Sequence, residues 1–186
     1  QKEKDMTKLA FTSVCSNLLQ KYGASLSVEE HLELEQIHQG LENGSMVLLA
    51  NPAHPNVKPI LVGQPARVKV NANIGTSPLM KSLDVEMEKL KAAEDAGADT
   101  IMDLSTAGDL NAIRQQMLER CPLPLGTVPI YSMAQKRADA GKDPAEFAPE
   151  ELLDEIRHQA EQGVDFMTLH VGVTRAAADL ADRDIE

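Results

Sequence analysis

The sequence predicts an α/β protein built on a parallel sheet with helical crossovers, and three observations support that class. From Arg67 onward, apolar runs of strand length alternate with helix-length stretches. The helical stretches stop at Gly97 and Gly163, residues that tolerate a left-handed C-cap. An internal echo repeats the unit: "AEDAGADTIM" and "AEQGVDFMT" both pass from an Ala-Glu helix end through Gly and Asp into an apolar strand.

In chain order, Val68 and Val70 open a first strand and "DVEMEKLKAAEDAGAD" is the first crossover helix, with a solvated, charge-paired face. "TIMDLS" is a short buried strand. Asp109 or Thr106 can cap "LNAIRQQMLER", after which Pro122 and Pro124 break the helix and "LGTVPIY" supplies a third strand. "PEELLDEIRHQAEQG" is the next helix and "VDFMTLHVG" the fourth strand. Such alternation fits either a doubly wound sheet or part of a (β/α)8 barrel. No G-x-G-x-x-G or G-x-x-x-x-G-K-[ST] loop follows any strand, which removes the main support for a nucleotide-binding doubly wound sheet and favours barrel geometry.

The first third is different. Ser27 and Glu30 form an S-x-x-E capping box, and Val28, Leu32, Leu34, Ile37 and Leu41 recur at near-helical spacing up to Asn43-Gly44, predicting one amphipathic helix. "MVLLA" and "PILVG" read as short strands around the Pro-rich link "NPAHPNVKP". Residues 1–5 are set aside as upstream sequence. The expected organisation is a helical arm and β cover over residues 6–65, followed by about the first half of a (β/α)8 barrel over residues 66–186.

Composition narrows the function. With 186 residues and 42% apolar content the chain suits a single folded core. A formal net charge of -11, from 29 acidic against 18 basic side chains, argues against a nucleic-acid surface that must neutralise many phosphates. No apolar run approaches the ~20 residues of a membrane span and no signal-like region opens the chain, so a soluble, cytoplasmic protein is expected. Cys15 and Cys121 are the only cysteines and form no C-x-x-C pair, so neither a disulfide framework nor a metal knuckle is legible.

Barrel enzymes place chemistry at the C-terminal ends of their strands, where this chain carries Asn71, Asn73, Met102, Asp103, Tyr131 and His170. "VKVNANIGTS", "GADTIMDLSTAGDLNAIR", "LPLGTVPIY" and "QGVDFMTLHVGVT" resemble, in order and spacing, the central barrel of the phosphomethylpyrimidine synthase (ThiC) family over residues 66–175. The resemblance implies a radical S-adenosylmethionine lyase that rearranges 5-aminoimidazole ribotide into the pyrimidine of thiamin. A related branch makes 5-hydroxybenzimidazole for cobamides from the same substrate, and a non-catalytic binding module is a further alternative. It implies substrate contacts at Asn73, Met102, Tyr131 and His170. Also implied are a [4Fe-4S] cluster and a second metal, zinc or iron, held by residues outside this sequence. The expected partners are the missing C-terminal half or a second copy, as a homodimer.

Each of these residues has a plainer role to weigh. Asn73 can cap a turn before Gly75, Met102 can be core, Tyr131 can sit at the rim, and His170 can be a hydrogen-bonded core histidine. Asp103 reads as a loop-fixing carboxylate rather than a base. The chain departs from the family at Ser132, where Gln is usual, and at Val171, where a related branch often has Cys.

Overall fold

The computed structural model describes residues 2–172 and 174–184, with side chains described from residue 13 to residue 181 apart from Val173. Helix α1 (Lys2–Glu30) and helix α2 (Leu34–Asn43) lead into an antiparallel pair, β1 (Met46–Leu49) and β2 (Ile60–Gly63). The remainder runs β3 (Asn71–Ile74), α3 (Leu83–Asp95), β4 (Thr100–Asp103), α4 (Leu110–Arg120), β5 (Leu125–Thr127), α5 (Pro129–Asp139), α6 (Pro149–Gln162), β6 (Phe166–Met167) and α7 (Arg175–Asp184). Strands β3 to β6 form one parallel sheet in chain order. The α/β class and the parallel neighbours expected from the sequence are therefore present. The sheet has four strands and is open.

Alternation along these strands decides where the core sits. Ile74, Ile101 and Leu125 project to the side packed by Leu90 of α3 and by Leu110, Ile113, Met117 and Leu118 of α4. Ile101, Met117 and Leu125 are wholly buried there, and truncating one of them to Ala costs about 2–5 kcal/mol. The opposite face of the sheet carries Asn73 and Met102. A second, smaller core joins Leu19 and Leu26 of α1, Ile37 of α2 and Leu61 of β2.

Several local expectations are corrected. The predicted single helix starting at Ser27 is two helices. Residue 27 lies in the last turn of α1, and its hydroxyl donates to the Leu32 carbonyl (2.6 Å) instead of capping a start. Glu30 is unavailable for a capping box because it is buried and accepts from the Arg67 amide (2.9 Å) and from Lys69 Nζ (2.8 Å). The chain turns at His31, with φ 55°, and α2 opens where Gln36 Oε1 accepts from the Glu33 amide (2.9 Å). Val28 is 73% exposed, so the apparent stripe was not one face. Residues 2–5, set aside above, fall within α1, whereas Gln1 lies outside the described residues.

The first parallel strand starts at Asn71 and not at Val68. Asp99 captures the preceding segment: its carboxylate accepts from the Val70 amide (2.7 Å) and from the Arg67 guanidinium, leaving Val68 91% exposed. Burial alone would push the Asp99 carboxyl up, but the Arg67 hydrogen bond, the Val70 amide and the charges of Arg67 and Lys69 outweigh it and hold it below its ordinary value. The third strand stops at Thr127, since Pro129 takes the first turn of a helix, where its missing N–H costs nothing. Tyr131 is therefore helical. The fourth strand closes at Met167, before His170. The crossover from β5 to β6 holds two helices, α5 and α6, where the sequence suggested one.

The Pro-rich link is fastened to the N-terminal end of the sheet. Asp165, just before β6, accepts from the Asn51 amide (2.6 Å), the Leu125 amide (2.7 Å) and His54 Nδ1 (2.7 Å). His54 Nε2 meets the Cys121 carbonyl at 2.9 Å, and a carbonyl can only accept, so Nε2 donates. With the carboxylate ionised, both ring nitrogens carry protons and the buried pair is an ion pair. Burial pushes His54 down, yet the hydrogen bond and charge of Asp165, with help from the Cys121 and Leu118 carbonyls, outweigh it and hold its pKa above the ordinary 6.5.

A raised folded pKa means the His54 contribution is complete below the unfolded value of 6.5 and is lost as pH rises through the folded value. Melting temperature should therefore fall as pH rises above about 6.5, as measured by circular dichroism. His54→Gln should be less stable at about pH 6 by about 3–5 kcal/mol, because it leaves Asp165 buried without its cation, and should lack that pH-dependent loss.

Candidate functional site

The register of the parallel sheet builds a row of side chains across the face opposite the Ile101 and Leu125 core. Asn73 pairs with Met102, Met102 with Gly126, and Gly126 with Phe166. Because partners in register share a face, an amide and a thioether stand side by side near the C-terminal ends of β3 and β4. Asn73 is exposed, whereas Met102 is buried at 8% exposure.

Asn73 is oriented by its own strand. Thr100 Oγ1 donates to Asn71 Oδ1 (2.7 Å), and Asn71 Nδ2 donates to Asn73 Oδ1 (3.1 Å). This relay occupies the carbonyl side of the Asn73 amide and turns its N–H2 outward as a donor. Asn71 thus supports Asn73 and needs no ligand of its own to account for its place in a strand. An open hollow of about 330 Å3 beside it is lined by Asn73, Ile74, Gly75, Lys89 and Leu104.

Two strand-end loops are locked together above this row. Gly75 has φ 152°, and a Cβ there would lie 2.6 Å from the Leu104 carbonyl carbon and the Ser105 nitrogen, so only glycine allows the approach. The Thr76 amide donates to Ser105 Oγ (3.0 Å), Thr76 Oγ1 donates to the Ala107 carbonyl (2.6 Å), and the Thr106 amide donates to the Thr76 carbonyl (3.0 Å). Thr76 and Ser105 were not singled out in the sequence; the Gly-Thr-Ser run after a strand was the available signal.

Tyr131 and His170 form the other half of the constellation. Tyr131 sits in the first turn of α5 beyond β5, His170 follows β6, and their ring centroids are 6.5 Å apart at 38°. The fold thus brings Asn73 beside Met102 and Tyr131 beside His170, each past or near the end of its own strand. The hollow at Asn73 takes in none of the other three.

Asp103 lies on the opposite face from Met102 by alternation. Its Oδ1 accepts from the Ser105 amide (2.9 Å), the loop-fixing role expected, and burial pushes its carboxyl up against the pull of that hydrogen bond and of Arg114. Ser132 faces the helical layer as well: its hydroxyl accepts from Arg114 Nη2 (3.0 Å) and from Gln159 Nε2 (3.2 Å). Val171 is 84% exposed, beyond β6.

The donor set does not suit an iron-sulfur cluster. Cys121 is buried at the end of α4, and burial pushes its thiol up to about 11, while Cys15 lies in an apolar groove between α1 and β1. Among the described residues, no three His, Cys, Asp or Glu side chains are grouped to hold a metal ion. No described helix is long and apolar enough to cross a membrane.

A parallel sheet with helical crossovers and polar side chains near its strand ends defines the class, an α/β protein. The model of the Radical SAM ThiC family matches residues 13–185, and the chain belongs to that family. It is 44% identical over 146 residues to the phosphomethylpyrimidine synthase of Desulfotalea psychrophila, covering 78% of this chain and 34% of that protein. It is 44% identical over 151 residues to the synthase of Desulforudis audaxviator, covering 81% and 35%, and 40% identical over 158 residues to that of Thermococcus gammatolerans, covering 85% and 37%. The chain spans about a third of the length of the curated relatives it matches.

Because Asn73 is exposed and Thr100 buried, their variants should separate. Asn73→Ala should change the unfolding free energy of this chain by no more than about 0.5 kcal/mol. Thr100→Val, which removes the start of the relay, should cost about 0.5–1.5 kcal/mol. Urea titrations of the two variants measure both.

Proposed function

We infer that this chain is the ribotide-binding portion of a radical S-adenosylmethionine synthase that converts 5-aminoimidazole ribotide to the phosphomethylpyrimidine of thiamin. The observation that supports the reading most is the family match over residues 13–185, which takes in all four strand-end residues. The relatives' names favour the pyrimidine product and give the benzimidazole alternative no support.

On this reading the parallel sheet is part of a (β/α)8 barrel, residues 66–186 form its opening section, and residues 6–65 are its arm and cover. Later segments of the longer enzyme, or a second copy, complete the sheet. The free N–H2 of Asn73 donates to a ribose hydroxyl or a ring nitrogen, and Met102 gives an apolar wall. Tyr131 and His170, with their rings side by side, orient the phosphate or a ring substituent by hydrogen bonds. Bound cofactor would supply the radical that starts the rearrangement. Cys15 and Cys121 do not fit a cluster, so the residues of this chain bind and orient substrate and no radical step is assigned to them.

In a full-length protein containing this segment, Asn73→Ala or His170→Ala should lower kcat/KM by about tenfold to a hundredfold while melting temperature stays unchanged. A His170→Ala enzyme with wild-type kinetics and a large loss of melting temperature would overturn the assignment. Separately, the 186-residue chain reconstituted anaerobically with iron and sulfide should release no 5'-deoxyadenosine from S-adenosylmethionine. Stoichiometric cluster uptake and cleavage by the chain alone would show that the radical machinery is encoded here.

A further inference from the structure

The row that begins with Asn73 and Met102 continues through Gly126 to Phe166, and its last two members fit each other. A Cβ on Gly126 would lie 2.4 Å from Cε2 and Cζ of Phe166 and 2.9 Å from Cδ2. The Phe166 ring therefore folds back over the backbone of β5 and does not stand away from the sheet. Gly126 has no positive φ, so its backbone is one that any residue adopts, and the ring is what requires glycine at this position.

Phe166 is half-buried. By register it shares a face with Asn73 and Met102, on the side away from the Leu125 and Ile101 core. The same two strands, β5 and β6, lead directly into Tyr131 and His170. An amide donor, a thioether and an aromatic ring packed over Gly126 thus follow one another across three strand spacings of about 4.8 Å each, the scale of a small heteroaromatic ring with its sugar.

We propose that Phe166 is a ring-contacting specificity residue: laid over Gly126, it is the apolar floor on which the planar heteroaromatic part of the ligand stacks, while Asn73 takes the polar edge. Gly126 sets the depth of that floor, because any larger residue lifts the ring into the space above it. The proposal rests on the reading that the Asn73 row receives the ribotide. Stacking of a nucleobase-like ring on an aromatic side chain is sensitive to the π face and tolerant of a phenolic hydroxyl, and this separates it from simple packing.

The test is calorimetric titration of 5-aminoimidazole ribotide into a full-length protein containing this segment, without cluster reconstitution and without S-adenosylmethionine. Phe166→Leu keeps apolar bulk and loses the π face, and should weaken binding about tenfold. Phe166→Tyr should bind as the unaltered protein does, and Gly126→Ala should weaken binding with no further loss when combined with Phe166→Leu. Wild-type affinity in Phe166→Leu, with Asn73→Ala weakened, would overturn the role of Phe166 and leave the site reading standing. Equal losses in Phe166→Leu and Phe166→Tyr would also overturn it, since a packing role does not distinguish them by the ring. Wild-type affinity in both Asn73→Ala and Phe166→Leu would remove the site reading and this inference together.

Discussion

The Asp165 carboxylate, wholly buried at the N-terminal end of the sheet, is the point on which the rest of the structure depends. Three donors from two separate parts of the chain converge on it: the Asn51 amide and His54 Nδ1 of the Pro-rich link, and the Leu125 amide. The last of these fixes the start of β5 against the start of β6. The other two bind the Pro-rich link of the cover to the sheet, and Asn51 Nδ2 adds donors to the Ala160 and Val164 carbonyls at the end of α6. An isolated buried carboxylate is costly, so the site is favourable only with all its donors in place.

Fastening the bottom of the sheet has a consequence at its top. With β5 and β6 held at their N-terminal ends, their C-terminal ends carry Gly126, Phe166 and the loops to Tyr131 and His170 in fixed register. The matching constraint on β3 and β4 is the Gly75, Thr76 and Ser105 brace between their following loops. On the proposed reading, polar groups for the ribotide are presented on backbone that is already ordered, which lowers the entropy lost on binding. The Thr100, Asn71, Asn73 relay applies the same economy to a single side chain.

Behind the sheet, charge is buried rather than excluded. Arg114 of α4 is 2% exposed and reaches Ser132, Gln162 and Asn111, while Glu155 of α6 takes Lys136 Nζ at 2.5 Å and Gln159 Nε2 at 2.6 Å. Gln159 also accepts from Thr127 at the end of β5 (2.6 Å), so one polar network ties three helices to one strand. Ser132 is a member of it. Ser132 thus takes part in the packing of α4, α5 and α6 and not in the row of side chains that carries Asn73 and Met102.

The sequence by itself determined the parallel strand order, the positions of α3, α4 and α6 and the family, and it narrowed the α4 cap to Thr106 or Asp109, of which the structure uses Asp109. Each of these rests on periodicity, on a cap or stop residue such as Gly163, or on a long local motif, and such signals act within a few turns of chain. Tertiary structure decided the rest. Glu30 left its apparent capping box because Arg67 and Lys69, far along the chain, offered charged donors. Val68 left the strand because Asp99 took the amide of Val70, and Asp165 with His54 joined segments more than a hundred residues apart. Tyr131 became helical through the local rule of Pro129 at a helix start, a signal present in the sequence, whereas the placing of Phe166 over Gly126 depended on a strand register that no local pattern encodes. Hydrogen-bonding and packing partners distant in sequence compete with local preferences, and a buried carboxylate or an aromatic ring outweighs them when the fold brings the partner within reach.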